Sequence, residues 1–446
     1  MMGKVGENCL GVFIRSRLRA VPVLVWMVLI ALVLRLAVIP FNSFLFEDLM
    51  DASHIHAWEQ GNVARALLAG QGFGSPFVSN QPSAIMPPVY PLIVAGFFRL
   101  FGIHTALSIF AIHAFDCLIN SLACIPIFLI ARRSFGARVA LWAAWAWVFF
   151  PYGIYFSAAW AWSTHLLLLC LCWMLYMAQD MERSPRLALW AGFGALAGFA
   201  ALTEPSVLVV VPFLLLLAAG RLASAGKCWL LPGVVASLTL AAVISPWLIR
   251  EDLVFHRFIP MRDGMGLEMW MGNNGDNLRW TSDDKHPLHD AAELADYNAG
   301  ELAYMDHKAR LADAYIQSHP RWYAWMCIRR AVYLWTGYWS FDSRYLAMEP
   351  TDPENIPLAT GLTLLAFLGL FLAWRKKPYE ALRYGGVLFL FPLMYYFAHP
   401  EPYHMRPLDP LIVILDCFAI LALREWAAKP KERAAASKAP IVLNVI

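Results

Sequence analysis

Ten mostly apolar stretches divide this chain, near residues 21–40, 105–131, 137–156, 161–179, 187–203, 205–220, 229–248, 357–374, 381–398 and 407–424. A run of roughly 20 such residues crosses the hydrocarbon core of a bilayer as a helix. Inside that core only helices or closed barrels satisfy their own backbone polar groups. Composition agrees, with 60% hydrophobic and 15% charged residues and a mean hydropathy of +0.53. A soluble domain has roughly 45–50% and ~25%. These figures exclude a soluble globular enzyme, a disordered chain and a fibrous repeat. They predict an all-α integral membrane protein of about ten transmembrane helices, and they give no reason to expect a nucleic-acid partner.

Lys and Arg set the orientation. Lys4, Arg15, Arg17 and Arg19 precede the first stretch, which reads as an uncleaved anchor with its N-terminus in the cytoplasm. Arg132, Arg133 and Arg138, Arg183 and Arg186, Arg221 and Lys227, Arg375 to Lys377, and the tail bases Lys429, Lys431 and Arg433 then fall on that same inner side, whereas 151–160 and 203–205 hold no base. Two segments lie outside: 41–104, and a large loop 249–356. Counting Glu204 and Glu401, 23 of the 32 acids are on the outer side. Residues 1–248 thus form an N-terminal membrane region containing the first outer loop, and 357–446 the last helices and a cytoplasmic tail. The short apolar piece 88–102 and the aromatic piece 322–339 read as interfacial helices. The pattern predicts further helices over 58–68 and about 291–317.

Chemistry at a membrane surface needs polar groups where water and an apolar substrate both arrive. Within the first outer segment, residues 41–87 offer Glu47, Asp48, Asp51 and Glu59 against one base, Arg65. His54 and His56 form an H-x-H pair beside Asp51. On a helix they would diverge, so a divalent metal there requires a strand or loop, and ordinary loop histidines are the plainer reading. Arg406 is the one Lys or Arg between the last two stretches; a solitary guanidinium there invites a phosphate, with an interface anchor as the alternative. Arg329 and Arg330 are adjacent, so only one can face inward. Glu204 stands in a short outer turn, where exposure is the simplest reading. Asp116 and Asp416 lie within spans and read as structural, with Arg35 a possible partner for one of them. Trp142, Trp145, Trp147, Trp160 and Trp162 read as packing or interfacial anchors.

The order of motifs carries more. Glu59, Gly61, Val63, Ala64, Arg65, Leu67, Gly70, Gly72, Phe73, Pro76 and Phe77 are followed by Pro87-Pro88-Val89-Tyr90-Pro91. Further on come Phe135-Gly136, Leu202-Thr203-Glu204-Pro205 and Tyr403-His404-Met405-Arg406-Pro407-Leu408-Asp409-Pro410. In this order the chain resembles bacterial membrane glycosyltransferases of the GT-C superfamily, relatives of protein O-mannosyltransferases and of the aminoarabinose transferase that modifies lipid A. The resemblance implies transfer of a sugar from a polyprenyl-phosphate donor to a lipid, glycan or protein acceptor, on the periplasmic side of a bacterial inner membrane. It also implies an outer-loop carboxylate acting as base. Glu59, Asp48 and Asp51 are the candidates, since position 56, where one alignment places an aspartate, is His56. Arg406, Tyr403, Glu204, Arg329, Arg330 and Tyr90 are the candidate substrate contacts. A transporter or flippase of lipid-linked intermediates would instead place polar groups at the midplane, often in two related halves. A scaffold without chemistry is the third class.

Overall fold

The protein is described by a computed structural model over residues 23–41, 58–275, 285–348 and 352–437. Among these residues it is helical, without a named strand. The helices, in chain order, are α1 (Val23–Phe41), α2 (Glu59–Leu68), α3 (Val89–Phe101), α4 (Ala106–Phe135), α5 (Ala137–Val148), α6 (Pro151–Ala159), α7 (Thr164–Met181), α8 (Leu187–Thr203), α9 (Pro205–Ser224), α10 (Leu230–Phe255), α11 (Met265–Gly272), α12 (Ala291–Asn298), α13 (Glu301–Ser318), α14 (Pro320–Thr336), α15 (Ser343–Met348), α16 (Asp352–Lys376), α17 (Pro378–Leu390), α18 (Leu393–Phe397) and α19 (Asp409–Ser437). Pro402–Leu408, just before α19, is a 3-10 helix.

Six helices (α1, α4, α7, α9, α10 and α16) are long and apolar enough to cross a membrane. The α5–α6 pair, bent by 41° at its break, makes a seventh if it is one span. The other three expected spans are present as helices with different characters. α8 has only 17 residues, the 381–398 stretch breaks between α17 and α18 around Pro392, and α19 carries Asp409 and Asp416 on its apolar part. The expected helix over 291–317 is divided at Ala299–Gly300, where Gly300 adopts φ 150°.

Small residues bring the helices together. Gly194 and Gly198 on α8 form a G-x-x-x-G face, and a Cβ at either would strike Ala236 or Val243 of α10. Gly369 of α16 likewise lies on the Leu415 backbone of α19. Within the bundle, Arg35 does not reach an acid. Its guanidinium donates to Asn120 Oδ1 at 2.9 Å and to the Trp147 and Val148 carbonyls at 3.0 and 3.2 Å. The α5 helix ends here, so these terminal carbonyls are available to a cation that the sequence offered as a partner for Asp116 or Asp416. Asp116 instead accepts Tyr90 Oη at 2.7 Å.

The basic loops share one end of the bundle. Arg133 pairs with Asp180 at 3.0 Å, Arg383 with Glu182 at 2.6 Å and Arg138 with Glu425 at 3.5 Å. Lys227 Nζ donates to the Arg183 carbonyl at 2.7 Å. The first loop and the large loop meet at the other end. Arg250, at the top of α10, donates to the Ser83 and Phe73 carbonyls at 2.8 and 3.0 Å. Glu301 accepts the Ala84 N–H at 2.7 Å, and Ser75 Oγ lies 2.9 Å from Tyr297 Oη. The Gly-Phe-Gly-Ser-Pro-Phe run is therefore a clamp: it presents backbone carbonyls to Arg250 and holds α2 against the large loop.

In a Cys327→Ser background, Ser79→Cys and Ala303→Cys, both exposed positions, are expected to react with a membrane-impermeant maleimide in intact cells. Native Cys228, also exposed, should react only after permeabilisation. The reverse pattern would invert the orientation.

Candidate functional site

The clamped loops gather carboxylates that lie far apart in sequence. Glu59 is the first residue of α2, where the preceding Trp58 anchors the chain by donating its indole N–H to the Ala161 carbonyl at 3.0 Å. Glu59 Oε1 stands 3.4 Å from His286 Nε2 of the large loop. Glu268, on α11, meets Arg262 at 2.7 Å and His399 Nδ1 at 3.2 Å. Arg262 also faces Glu204 at 3.9 Å. Glu204 is therefore not a free turn residue but one member of this cluster. Gly272 sets the geometry: its Cα lies so close to the Ala398 carbonyl that any side chain would clash, and this contact seats α11 beside His399.

Charges dominate here. Burial alone would lower the Arg262 pKa, but Glu268, then Glu204 and Glu59, outweigh it and raise it. Burial would likewise raise Glu268, yet His399, Arg262 and His286 hold it below the usual carboxylate range. Glu204 stays raised by burial, which Arg262 only partly offsets.

On the far side of Tyr403 lies a cavity of about 560 Å³, lined by Tyr152, Phe156, Trp160, Tyr333 and Arg406 among others. The 3-10 helix repeats every three residues, so Tyr403 and Arg406 share a face toward it. Tyr403 packs on Trp160 at 5.5 Å and Trp162 at 5.8 Å. Its phenol is pushed well above the normal range by burial and by Glu401, Glu268 and Glu59, which puts it within the field of both parts of the site. The Arg406 guanidinium lies 4.1 Å over the Tyr152 ring and 3.4 Å from Asp409. Its Nε and Nη1 atoms have no hydrogen-bond partner among the described residues, and neither has the indole nitrogen of Trp160. Buried donors without acceptors are rare and expensive, and among the described residues Arg406 has only the Asp409 carboxylate as a counter-charge.

The structure does not bring every candidate here. Asp48 and Asp51, like Glu47, His54 and His56, lie outside the described residues. Tyr90 is sealed away on Asp116. Of the arginine pair, Arg330 faces inward, but the Gly272 and Phe397 carbonyls and Asn273 occupy it; Arg329 bonds Tyr333 Oη at 2.9 Å. Trp160 and Trp162, read as packing or interfacial anchors, pack on Tyr403. Arg262, Glu268, His286 and His399 escaped the sequence reading, because no local motif marks them and only loop convergence unites them. Among the described residues no group of three or more His, Cys, Asp or Glu side chains is arranged to hold a metal.

Residues 85–249 match the model of a family described as dolichyl-phosphate-mannose-protein mannosyltransferase. Over this segment the chain is similar to that family. The match runs from the end of the first loop through most of α10, including Tyr90 and Glu204 but neither Glu59 nor Arg406. A comparison of the sequence with curated proteins gives no match. Among solved structures, the apo oligosaccharyltransferase of Archaeoglobus fulgidus is similar at 12% identity with a TM-score of 0.49, over 92% of this chain and 53% of that one. ArnT of Cupriavidus metallidurans bound to undecaprenyl phosphate is similar at 16% identity with a TM-score of 0.37, over 92% of this chain and 80% of that one. The chain thus spans about half the length of the archaeal enzyme, and likenesses this distant transfer no residue role.

Arg262→Met is expected to leave Glu268 and Glu204 without their cation. The loss should be on the order of 1–3 kcal/mol, less than for a fully buried pair because these side chains keep some solvent contact. Without Arg262 both carboxyls titrate at higher pH, so acidification neutralises them. Thermal unfolding in nanodiscs should show a Tm deficit that is largest near pH 8 and shrinks toward pH 5; a deficit independent of pH would contradict this electrostatic role.

Proposed function

We propose that this protein transfers a sugar from a polyprenyl-phosphate donor to an acceptor hydroxyl or amine at the outer face of a bacterial inner membrane. The observation carrying this reading is the guanidinium of Arg406 on the wall of a cavity whose other side, across Tyr403, is a carboxylate cluster. The description of the matched family, which names a lipid-phosphate sugar, agrees with it. The acceptor, whether lipid, glycan or protein, would approach from the large loop.

In this reading the acceptor oxygen or nitrogen attacks the anomeric carbon and Glu59 takes its proton. The bond from that carbon to the phosphate oxygen breaks, and the electron pair leaves on the phosphate. Glu59 suits the task better than Glu268, because a carboxylate held between Arg262 and His399 is too weakly basic to draw a proton. Asp48 is the near alternative and Asp51 the next. Arg406 stabilises the charge that develops on the leaving phosphate, and its planar fork matches phosphate oxygens.

Glu59→Gln keeps the shape and removes the base, so transfer from undecaprenyl-phosphate-linked sugars should fall by roughly 10²–10⁴-fold. Full activity in both Glu59→Gln and Asp48→Asn, each shown to be folded and inserted, would exclude this assignment. Arg406→Lys should raise the donor KM, and Arg406→Ala should also depress kcat. A mere headgroup anchor would leave both constants unchanged.

A further inference from the structure

The 3-10 helix that aims Tyr403 and Arg406 into the cavity sends His404 elsewhere, because successive residues are turned by about 120° in a three-residue repeat. His404 stacks flat on Tyr395, with ring centroids 4.0 Å apart and planes at 12°, and its ring lies 6.2 Å from that of His399. It therefore sits beside the carboxylate cluster rather than in the cavity. A reciprocal cap fixes it. The Glu401 side chain accepts the His404 backbone N–H, and His404 Nδ1 accepts the Glu401 backbone N–H at 3.0 Å.

That bond decides the tautomer. A ring nitrogen that accepts carries no proton, so in the neutral ring the proton is on Nε2. His404 makes no other hydrogen bond with the described residues, and Nε2 is not among the sealed polar atoms. The Nε2–H is therefore a fixed donor for which the described residues provide no acceptor. Burial, then the charges of His399 and Arg262, hold the imidazole well below its ordinary pKa and so neutral. Beside it the Tyr395 and Tyr403 phenols are the other neutral donors. Glu59, Glu204 and Glu268 as carboxylates only accept, and Arg262 is engaged by Glu268 and Glu204. A sugar hydroxyl both donates and accepts, so beside carboxylates it needs one neutral donor.

Building on the glycosyl-transfer reading, we infer that His404 donates its Nε2–H to a hydroxyl oxygen of the transferred sugar. It is thus a sugar-positioning residue distinct from the phosphate-facing Arg406. The sugar's own hydroxyl proton goes to a carboxylate of the cluster. No proton is exchanged with His404.

Two substitutions separate the two edges of the ring. In His404→Asn the side-chain oxygen can replace Nδ1 and keep the cap, but nothing reaches the Nε2 position. In His404→Gln the amide N–H reaches that position and the cap is lost. The full chain in nanodiscs is titrated with undecaprenyl phosphate and with undecaprenyl-phosphate mannose, following the fluorescence of Trp160 and Trp162. His404→Asn should bind undecaprenyl phosphate as the wild type does and the mannosyl lipid about tenfold more weakly, the scale of one hydrogen bond. His404→Gln should retain most of the preference for the mannosyl lipid. Equal weakening of both lipids in His404→Asn, or weakening of neither, overturns the inference, as does a wild type that binds the two lipids alike. A wild type that binds no undecaprenyl phosphate overturns the lipid-donor reading itself and this inference with it.

Discussion

Arg262 holds together segments that the sequence keeps apart. It binds Glu268 on α11 and faces Glu204 in the turn after α8, and Glu59 on α2 acts on its charge. Without a cation among them, three carboxylates would repel each other in a partly desolvated space. Burial pushes the Glu204 and Glu268 carboxyls upward, and the Arg262 charge opposes that rise. One guanidinium lets them coexist as anions, and it ranks them. Glu268 is tied on two sides, Glu204 on one, and Glu59 has only His286 within ion-pair distance. Of the three, Glu59 is the one whose contact within ion-pair distance is a histidine rather than Arg262.

That arrangement rests on a rigid outer end. Arg250 spends its donors on two carbonyls of the first loop, and Glu301 and Tyr297 grip the same loop from α12 and α13. The motif glycines and aromatics around Phe73 therefore do mechanical rather than chemical work. They fix where α2 begins, and α2 begins with Glu59. The same holds at the 3-10 helix, whose three-residue period splits Tyr403 and Arg406 from His404. A single short element thereby serves both the cavity and the carboxylate cluster. An α-helical turn would have spread these side chains differently.

Much of the architecture was legible in the amino-acid order. Apolar runs marked the helices, and basic residues marked one end of the bundle, where Arg133, Arg138 and Arg383 now find acids. The helix at 58–68, the helices near 88–102 and 322–339 and the inward turn of one residue of the Arg329–Arg330 pair were readable from periodicity and spacing. Length and apolarity are local properties, so they survive in a linear reading. The break at Gly300, the bend between α5 and α6 and the shortness of α8 were less visible, because apolar composition continues across them.

What the sequence by itself determined is the membrane class, the loops that bear acids, and Glu59 and Arg406 as candidates. Only the tertiary structure decided which acids meet. Glu204 looked like an exposed turn residue and is an ion-pair partner; Tyr90 looked like a substrate contact and is buried on Asp116; Arg35 looked like a partner for an acid and binds carbonyls. Arg262, Glu268, His286, His399 and His404 belong to no local pattern. Their roles arise from charge proximity and ring stacking between segments distant along the chain. Such interactions depend on distance in space, about which the spacing of residues along a chain says almost nothing.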